Sequence, residues 1–307
     1  MNIKKMRGPQ GFTLIELSVV LVIIGLIVGG VLVGRDLIKA SQLRATITQI
    51  EKYNTATNTF RTKYNALPGD IANPDATSFG FLSRGQYAGE GDGNGILEGV
   101  SSNAAARNTG FLQSGGETLM FWVDLSTAKL LDANFSTATP TGIYSPVTSS
   151  STPSIAALYP PAAIGNGNYF YVYSYGSAGS ALAINQFGLS AVNNIGGTGS
   201  FCNGCMISSP GLTVEQAQNI DKKMDDGLPQ AGKARAVYLG STTGVSAVWA
   251  AGGGNIGQST SGNPSNAATA GSSTTCYDNN NISNAIQQYS VSQGTSNLNC
   301  ALSFQFQ

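Results

Sequence analysis

The hydrophobic pattern changes character twice along the first third of the chain. From Phe12 to Gly34, within GFTLIELSVVLVIIGLIVGGVLVG, nearly every position is apolar and Glu16 is the single ionisable side chain. As a helix rising about 1.5 Å per residue this run spans roughly 34 Å, enough to cross the hydrocarbon of a bilayer. Beyond Gly34 the continuous run gives way to a periodic one. Leu37, Leu43, Ile47, Ile50, Tyr53, Phe60 and Tyr64 recur at roughly helical spacing, interleaved with Arg35, Lys39, Arg44, Glu51, Lys52 and Arg61. That spacing predicts an amphipathic continuation of the same helix with one stripe facing a globular domain. The LPG at 67–69 disfavours helix in the residue before proline, so the helix should end near Asn65. A helix over 12–65, roughly 80 Å long, has more apolar outer face than one subunit can cover. It needs a bilayer or copies of itself.

The remainder alternates between loops and short periodic segments. Residues 66–115 read as an irregular Gly/Asn/Ser-rich region. Residues 116–135 read as a second helix with Phe121, Leu125, Ala128 and Leu131 on one face and Trp122 as a packing anchor. After a Pro/Ser/Thr-rich stretch at 136–167, strands are expected at YFYVYSYG (169 onward) and ALAINQF (181–187), then at ARAVYL (234–239) and VSAVWA (245–250). Residues 213–227 read as a short helix with Thr213 as N-cap, Gln216 three positions on, and Gly227 as its stop. The C-terminal CALSFQFQ alternates Leu302, Phe304 and Phe306 with polar residues, the period of a half-buried antiparallel strand that should pack on the long helix. The predicted class is α+β, a long N-terminal helix against an antiparallel sheet.

Composition removes several functions. Of 307 residues only 10% are charged, the formal net charge is zero, and histidine is absent. Without a basic stripe to displace counterions from phosphates, nucleic acid is not an expected partner. Without histidine, Ser/His/Asp and Cys/His nucleophilic mechanisms, most zinc sites and the usual neutral-pH proton shuttle are gone, and no enzyme activity is expected. The four cysteines all follow the apolar run, which fits disulfides if that part lies outside the cytoplasm.

The segment preceding the apolar run carries Lys4, Lys5 and Arg7 and no acid. Under the positive-inside rule this end stays cytoplasmic and the chain after residue 35 is translocated. No small-residue cleavage pattern follows the apolar stretch; the small residue stands in front of it, as Gly11 before Phe12. A short basic leader, then GFTLIE, then an uninterrupted apolar helix resembles the type IV pilins and the pseudopilins of type II secretion. The resemblance implies that a prepilin peptidase removes residues 1–11 and methylates the new amine of Phe12. It also implies that Glu16 pairs with the Phe12 ammonium of a neighbouring subunit, a role that suits a carboxylate costing about 3 kcal/mol in a bilayer unless partnered. The snorkelling of Glu16 to headgroups, or bonds from its own helix N-terminus, are the local alternatives. Implied partners are other pilin or pseudopilin subunits, the prepilin peptidase, an inner-membrane assembly platform and lipid. Residues 12–34 are then the transmembrane and assembly helix, 35–65 its amphipathic continuation, and 66–307 a periplasmic or extracellular domain. Many pilins carry a proline in the apolar helix; here Gly25, Gly29, Gly30 and Gly34 are the only weak points. A second function class is an adhesin-like or ligand-binding module that uses the helix only as an anchor.

Four further constellations invite chemistry. EGDGNGILEG places Asp92, Asn94 and Glu98 at even offsets behind Glu90, as hard oxygen ligands for calcium or as a plain DGNG turn. The aromatic run at 169–175 suits either a carbohydrate platform or a cover for the long helix. Asp225 and Asp226 offer an acid/base pair, although DDG resembles a recurrent structural turn of the pilin family. Cys276 and Cys300 bracket the last loop, and a bridge there contributes about 3–4 kcal/mol on the chain-entropy model; the resemblance supports it, since pilins often tie a C-terminal loop in this way. Cys202 and Cys205, in CNGC, suit a small structural disulfide better than a redox pair or zinc, with crossed pairings open.

Overall fold

A computed structural model describes residues 11–100, 110–144, 147–175, 184–196, 204–240, 247–250, 275–278, 286–291 and 297–306. Its first element, α1 (Leu14–Tyr64), is a single helix of 51 residues, unbroken through all four glycines. Thr13 caps its start and Asn65, in the left-handed region at φ 53°, ends it two residues before LPG. The burial of α1 is one-sided in length as well as in face. Thr46, Ile47, Ile50, Tyr53, Ala56, Thr57 and Phe60 are buried against the domain at three- and four-residue spacing. Everything from Phe12 to Ile38 that is large and apolar is exposed. Leu37, expected on the domain-facing stripe, is among the exposed residues; packing begins only at Leu43, where the domain's layers first reach the helix.

A central antiparallel sheet receives that stripe. Strand β1 (Asn168–Tyr175) pairs along its whole length with β2 (Ile184–Ile195). The other edge of β2 is shared, with β3 (Met206–Ser209) along its second half and the C-terminal strand along its first. A two-residue strand, β4 (Leu212–Thr213), leads into a helix that carries the expected Thr213/Gln216 capping box. Next come β5 (Ala234–Arg235), β6 (Val237–Leu239), β7 (Ala247–Trp249), β8 (Tyr277–Asp278), β9 (Gln288–Tyr289), β10 (Leu298–Cys300) and β11 (Leu302–Gln305). The sheet order is β1-β2-β11-β5, so the C-terminal strand sits inside the sheet, while β4/β10, β6/β7 and β8/β9 form small satellite pairs.

Among the described residues, three helices join α1 before β1, and another lies between β4 and β5. They are α2 (Asp75–Ser78), α3 (Glu117–Thr127), α4 (Ile155–Leu158) and α5 (Val214–Met224). Between α1, α3 and the sheet lies an aromatic centre. Tyr53 stands edge-on to Trp122 at 5.1 Å and to Phe170 at 5.2 Å, and Phe187 stacks on Phe306 at 4.2 Å beside Phe121. Each such ring buried contributes roughly 1.5–3 kcal/mol, which explains why the lower half of α1 holds to the domain while the upper half stands free.

The opposite sheet face is also covered. Tyr171 and Tyr173 point there and are fully buried, with Tyr171 Oη accepting from Leu239 N at 3.0 Å and Tyr173 Oη donating to Ser303 Oγ at 2.8 Å. Gly188 lies directly beneath the Tyr171 ring, where a Cβ would come within 2.1 Å of it. This glycine therefore belongs to a strand, and β2 runs on to Ile195, well past the expected end at residue 187.

Other expectations shift for local reasons. The helix expected over 116–135 stops at Thr127: Lys129 is left-handed at φ 59°, and Ser126 Oγ bonds Ala133 O and Phe135 N, folding the chain back so that Leu131 and Phe135 are buried from a loop. α3 is buried on all sides rather than along one face. ARAVYL is not one strand, because Ala236 N bonds Pro229 O between β5 and β6 and the chain changes sheet there. Residues 181–183 and 245–246 of the expected strands lie outside the described residues.

Candidate functional site

Two regions gather the residues that carry chemistry. The first is the free end of α1. Gly11 and Phe12 precede the helix in non-helical conformation, and Phe12 is 88% exposed. Glu16, four residues on, is the third residue of a capping box: its backbone N donates to Thr13 Oγ1 at 3.3 Å, and its Oε2 accepts from Thr13 N and Thr13 Oγ1, both at 2.8 Å. In the single chain the carboxylate is thus held by its own helix N-terminus, within one turn of Phe12 and on the surface. By length and composition α1 is able to cross a membrane, and none of its most apolar window is buried.

The second region is an acidic loop between α1 and α3. The LPG turn delivers Asp70 into the loop of residues 91–98, where Asp70 Oδ1 accepts from Gly93 N (2.8 Å) and Asn94 N (3.2 Å) and Oδ2 from Gly95 N (2.8 Å). Glu117, the first residue of α3, does the same from the other side, with Oε1 accepting from Gly91 N (2.9 Å) and Oε2 from Glu98 N (2.8 Å). Asp92 and Asn94 meet through Asn94 Nδ2, which donates to Asp92 Oδ2 (3.0 Å) and to Glu98 Oε2 (3.3 Å). All three candidate calcium ligands are therefore brought together, and Asp70 and Glu117 join them. Burial pushes the Asp70 carboxyl up to about 7, raises Glu117 well above the usual range with Asp70's charge adding to the effect, and raises Glu98. Neither ion pair among the described residues involves these groups.

A clamp behind the loop fixes its position. Asp124 Oδ2 accepts from Gly69 N at 2.7 Å and from Arg84 Nη2 at 2.6 Å, while Arg84 Nε donates to Ile71 O at 2.9 Å, all out of solvent. Gly69 has φ 88°, and a Cβ on it would lie 2.4 Å from Glu117 O, so the turn and the start of α3 touch backbone to backbone.

The geometry of α1 agrees with what comparison finds. The prokaryotic N-terminal methylation motif matches residues 6–32. The chain carries the N-terminal methylation motif of pilin-type proteins. The motif supports a pilin-type substrate of a prepilin peptidase, and the helix that carries it is long and apolar enough to cross a membrane. No curated protein and no solved structure matches it.

The other candidate residues take up local contacts. Cys276 and Cys300 form a disulfide and both are fully buried. Cys205 is disulfide-bonded as well, and Cys202 lies outside the described residues. Of the aromatic run, Phe170, Tyr171 and Tyr173 are fully buried and serve as core, while Tyr169 is half-buried. Asp225 accepts from the backbone of Lys233 and Ala234, and Asp226 from Leu228 N at 2.8 Å. These carboxylates shape the turn after α5, as the DDG reading of the sequence has it. Sequence reasoning missed Asp70, Arg84, Glu117 and Asp124. The available signals were an acid directly after a helix-ending LPG turn and an acid opening a helix.

Proposed function

We propose that the chain is a filament subunit, of a type IV pilus or a type II secretion pseudopilus, that is cut after Gly11, methylated on Phe12 and assembled through α1. The observation that carries this is the length of α1 with nothing packed on it, from Phe12 to Ile38, ending in a carboxylate one turn from the cleavage point. In the membrane, lipid covers this surface; in a filament, copies of the same helix do. Glu16 then exchanges its bonds from Thr13 for the methylated ammonium of an adjacent Phe12, replacing a charge–dipole contact by an ion pair. The N-terminus faces the cytoplasm before assembly, and residues 66–307 form the domain on the far side of the membrane. Burial of Phe170, Tyr171 and Tyr173 takes three rings of the 169–175 run away from any ligand-binding surface of the tip-adhesin alternative.

The test is to co-express the full chain with a prepilin peptidase and weigh the product. A mature protein beginning at Phe12 with one added methyl group is expected. An intact leader, or loss of the whole apolar run, refutes the proposal. Glu16→Leu should still insert and be cleaved yet be absent from sheared filaments, and its normal incorporation would refute the pairing. Surface filaments lost on deletion of the gene point to a pilus, whereas loss of secreted proteins points to the secretion system.

A further inference from the structure

The acidic loop holds more negative charge than its surroundings offset. One carboxyl oxygen each from Asp70, Asp92 and Glu117 all lie within 4.8 Å of one another. Two oxygens bound to one calcium ion at about 2.3–2.6 Å are at most about 4.6–5.2 Å apart, so this spacing is that of ligands around a single ion. The three residues come from the turn after α1, the glycine-rich loop and the start of α3, so the fold brings like charges together from separated segments.

An independent observation comes from Glu98. Its side chain is fully buried and its Oε1 has no hydrogen-bond partner. The other oxygen shares the Asn94 amide with Asp92, so the unpartnered oxygen sits on a carboxylate that faces the cluster. A buried carboxylate oxygen with neither donor nor cation is among the costliest arrangements in a protein interior. The amide bonds to Asp70 and Glu117 explain how the loop is shaped, but amides are dipoles and leave the net charge unchanged.

The second acidic cluster, Asp221, Asp225 and Asp226, lacks this feature. Both oxygens of Asp221 accept bonds, from Gly227 N and Tyr289 Oη, and Asp225 and Asp226 are exposed.

We propose that Asp70, Asp92, Glu98 and Glu117 bind one calcium ion, which clasps residues 91–98 to the end of α1 and the start of α3. Calcium fits because all the donors are hard oxygens in an irregular loop, and it accepts six to eight of them without strict geometry, whereas magnesium demands an octahedron. The site is independent of filament assembly, since every ligand lies in the globular part.

Isothermal titration of the full chain in detergent micelles with calcium chloride, and thermal unfolding in calcium against EGTA, test this. One calcium per chain is expected, with a Kd of about 1 mM or tighter, and a Tm raised by about 5–10 °C at a hundredfold excess over Kd. Glu98→Gln and Asp92→Asn should each weaken the Kd at least about tenfold while unfolding in EGTA at or above the wild-type Tm, because each removes a repelling charge. Magnesium should bind at least about tenfold more weakly. Should Glu98→Gln fail to fold, Asp92→Asn, on the surface of the cluster, decides alone. No saturable heat with folded wild type up to about 10 mM calcium, or wild-type affinity in the folded variants, overturns the proposal, and equal affinity for magnesium overturns the assignment to calcium.

Discussion

Replacing Arg84 by methionine separates the worth of the buried clamp from the cost of breaking it. Arg84 and Asp124 are 0% and 1% exposed at the side chain, joined at 2.6 Å, yet Arg84 Nη1 and Asp124 Oδ1 have no partner. An ion pair satisfied this incompletely adds little net stability over apolar residues, but removal of one member strands the other. In Arg84→Met the Asp124 carboxylate keeps only the Gly69 amide, and the expected loss at neutral pH is about 3–5 kcal/mol. For a domain of this size that lowers Tm by roughly 6–20 °C.

The loss should depend on pH with a definite sign. Burial already raises the Asp124 pKa, with Arg84 opposing the rise, so the variant's value climbs further. A carboxyl whose folded pKa exceeds its unfolded one binds more protons when folded, and stability is lost as pH rises between the two. The deficit relative to wild type should therefore be largest near neutrality and shrink towards about pH 4. Near-UV circular dichroism melts of both proteins in EGTA measure it, and taking the difference cancels the other raised carboxyls. The double variant Arg84→Met/Asp124→Leu leaves Gly69 N and Ile71 O without their side-chain partners but no buried charge, and should be about 1–3 kcal/mol more stable than Arg84→Met. A deficit under about 1 kcal/mol, or one that does not shrink with acid, refutes this account of the clamp.

Other perturbations follow from the same contacts. Gly69→Ala combines a left-handed backbone with a Cβ 2.4 Å from Glu117 O, and should cost at least about 2 kcal/mol by urea unfolding; a neutral result would mean the turn moves freely against α3. Tyr53→Ala, which opens the aromatic centre, should cost about 3–5 kcal/mol while leaving membrane insertion and leader cleavage intact, checked by melting and by mass. Cys276→Ser with Cys300→Ser should lower stability by about 3–4 kcal/mol, read from denaturant midpoints at unchanged slope. In EGTA the wild-type Tm should fall from about pH 4 to about pH 7, because the Asp70 carboxyl is raised to about 7 and Asp221 to about 6, so the folded state binds the extra protons. A flat or rising Tm over that interval would contradict those burial effects.

The legible parts of the fold were those encoded within one helical turn or one strand. LPG ended α1 where it was expected to, and Thr213 with Gln216 capped α5. The same capping pattern stands at Thr13 and Glu16, T-x-x-E before an apolar run, and the bonds from its own helix N-terminus that were the local alternative for Glu16 are those seen in the single chain. What stayed hidden depends on separated segments. Gly188 looks like a strand break until Tyr171 is laid across it, and Ala236 divides an apparently continuous strand because its amide goes to Pro229. Asp70, Asp92 and Glu117 are a cluster only after the turn, loop and helix have folded together, so the sequence showed the DGNG half of the site and concealed the rest.

These features place two demands on a single helix. On the proposed function, the half of α1 ending at Ile38 exchanges lipid for identical neighbours, and the exposure of its large apolar side chains permits that. The half beginning at Leu43 must not move, because Tyr53 is a wall of the aromatic centre and Gln49 bridges to Pro161 O and Ala163 N. Load on the stem therefore enters the domain through the lower half of α1 and reaches its end at the LPG turn. There Gly69, Asp70, Arg84, Asp124 and Glu117 couple the helix end to α3 through buried charge rather than through apolar packing alone. Apolar contacts slide with little change in energy over small displacements, whereas short charged hydrogen bonds are directional and resist it. A loop clasped in this way is the stiffest available junction at the one point where a stem continuous with the core has to stop.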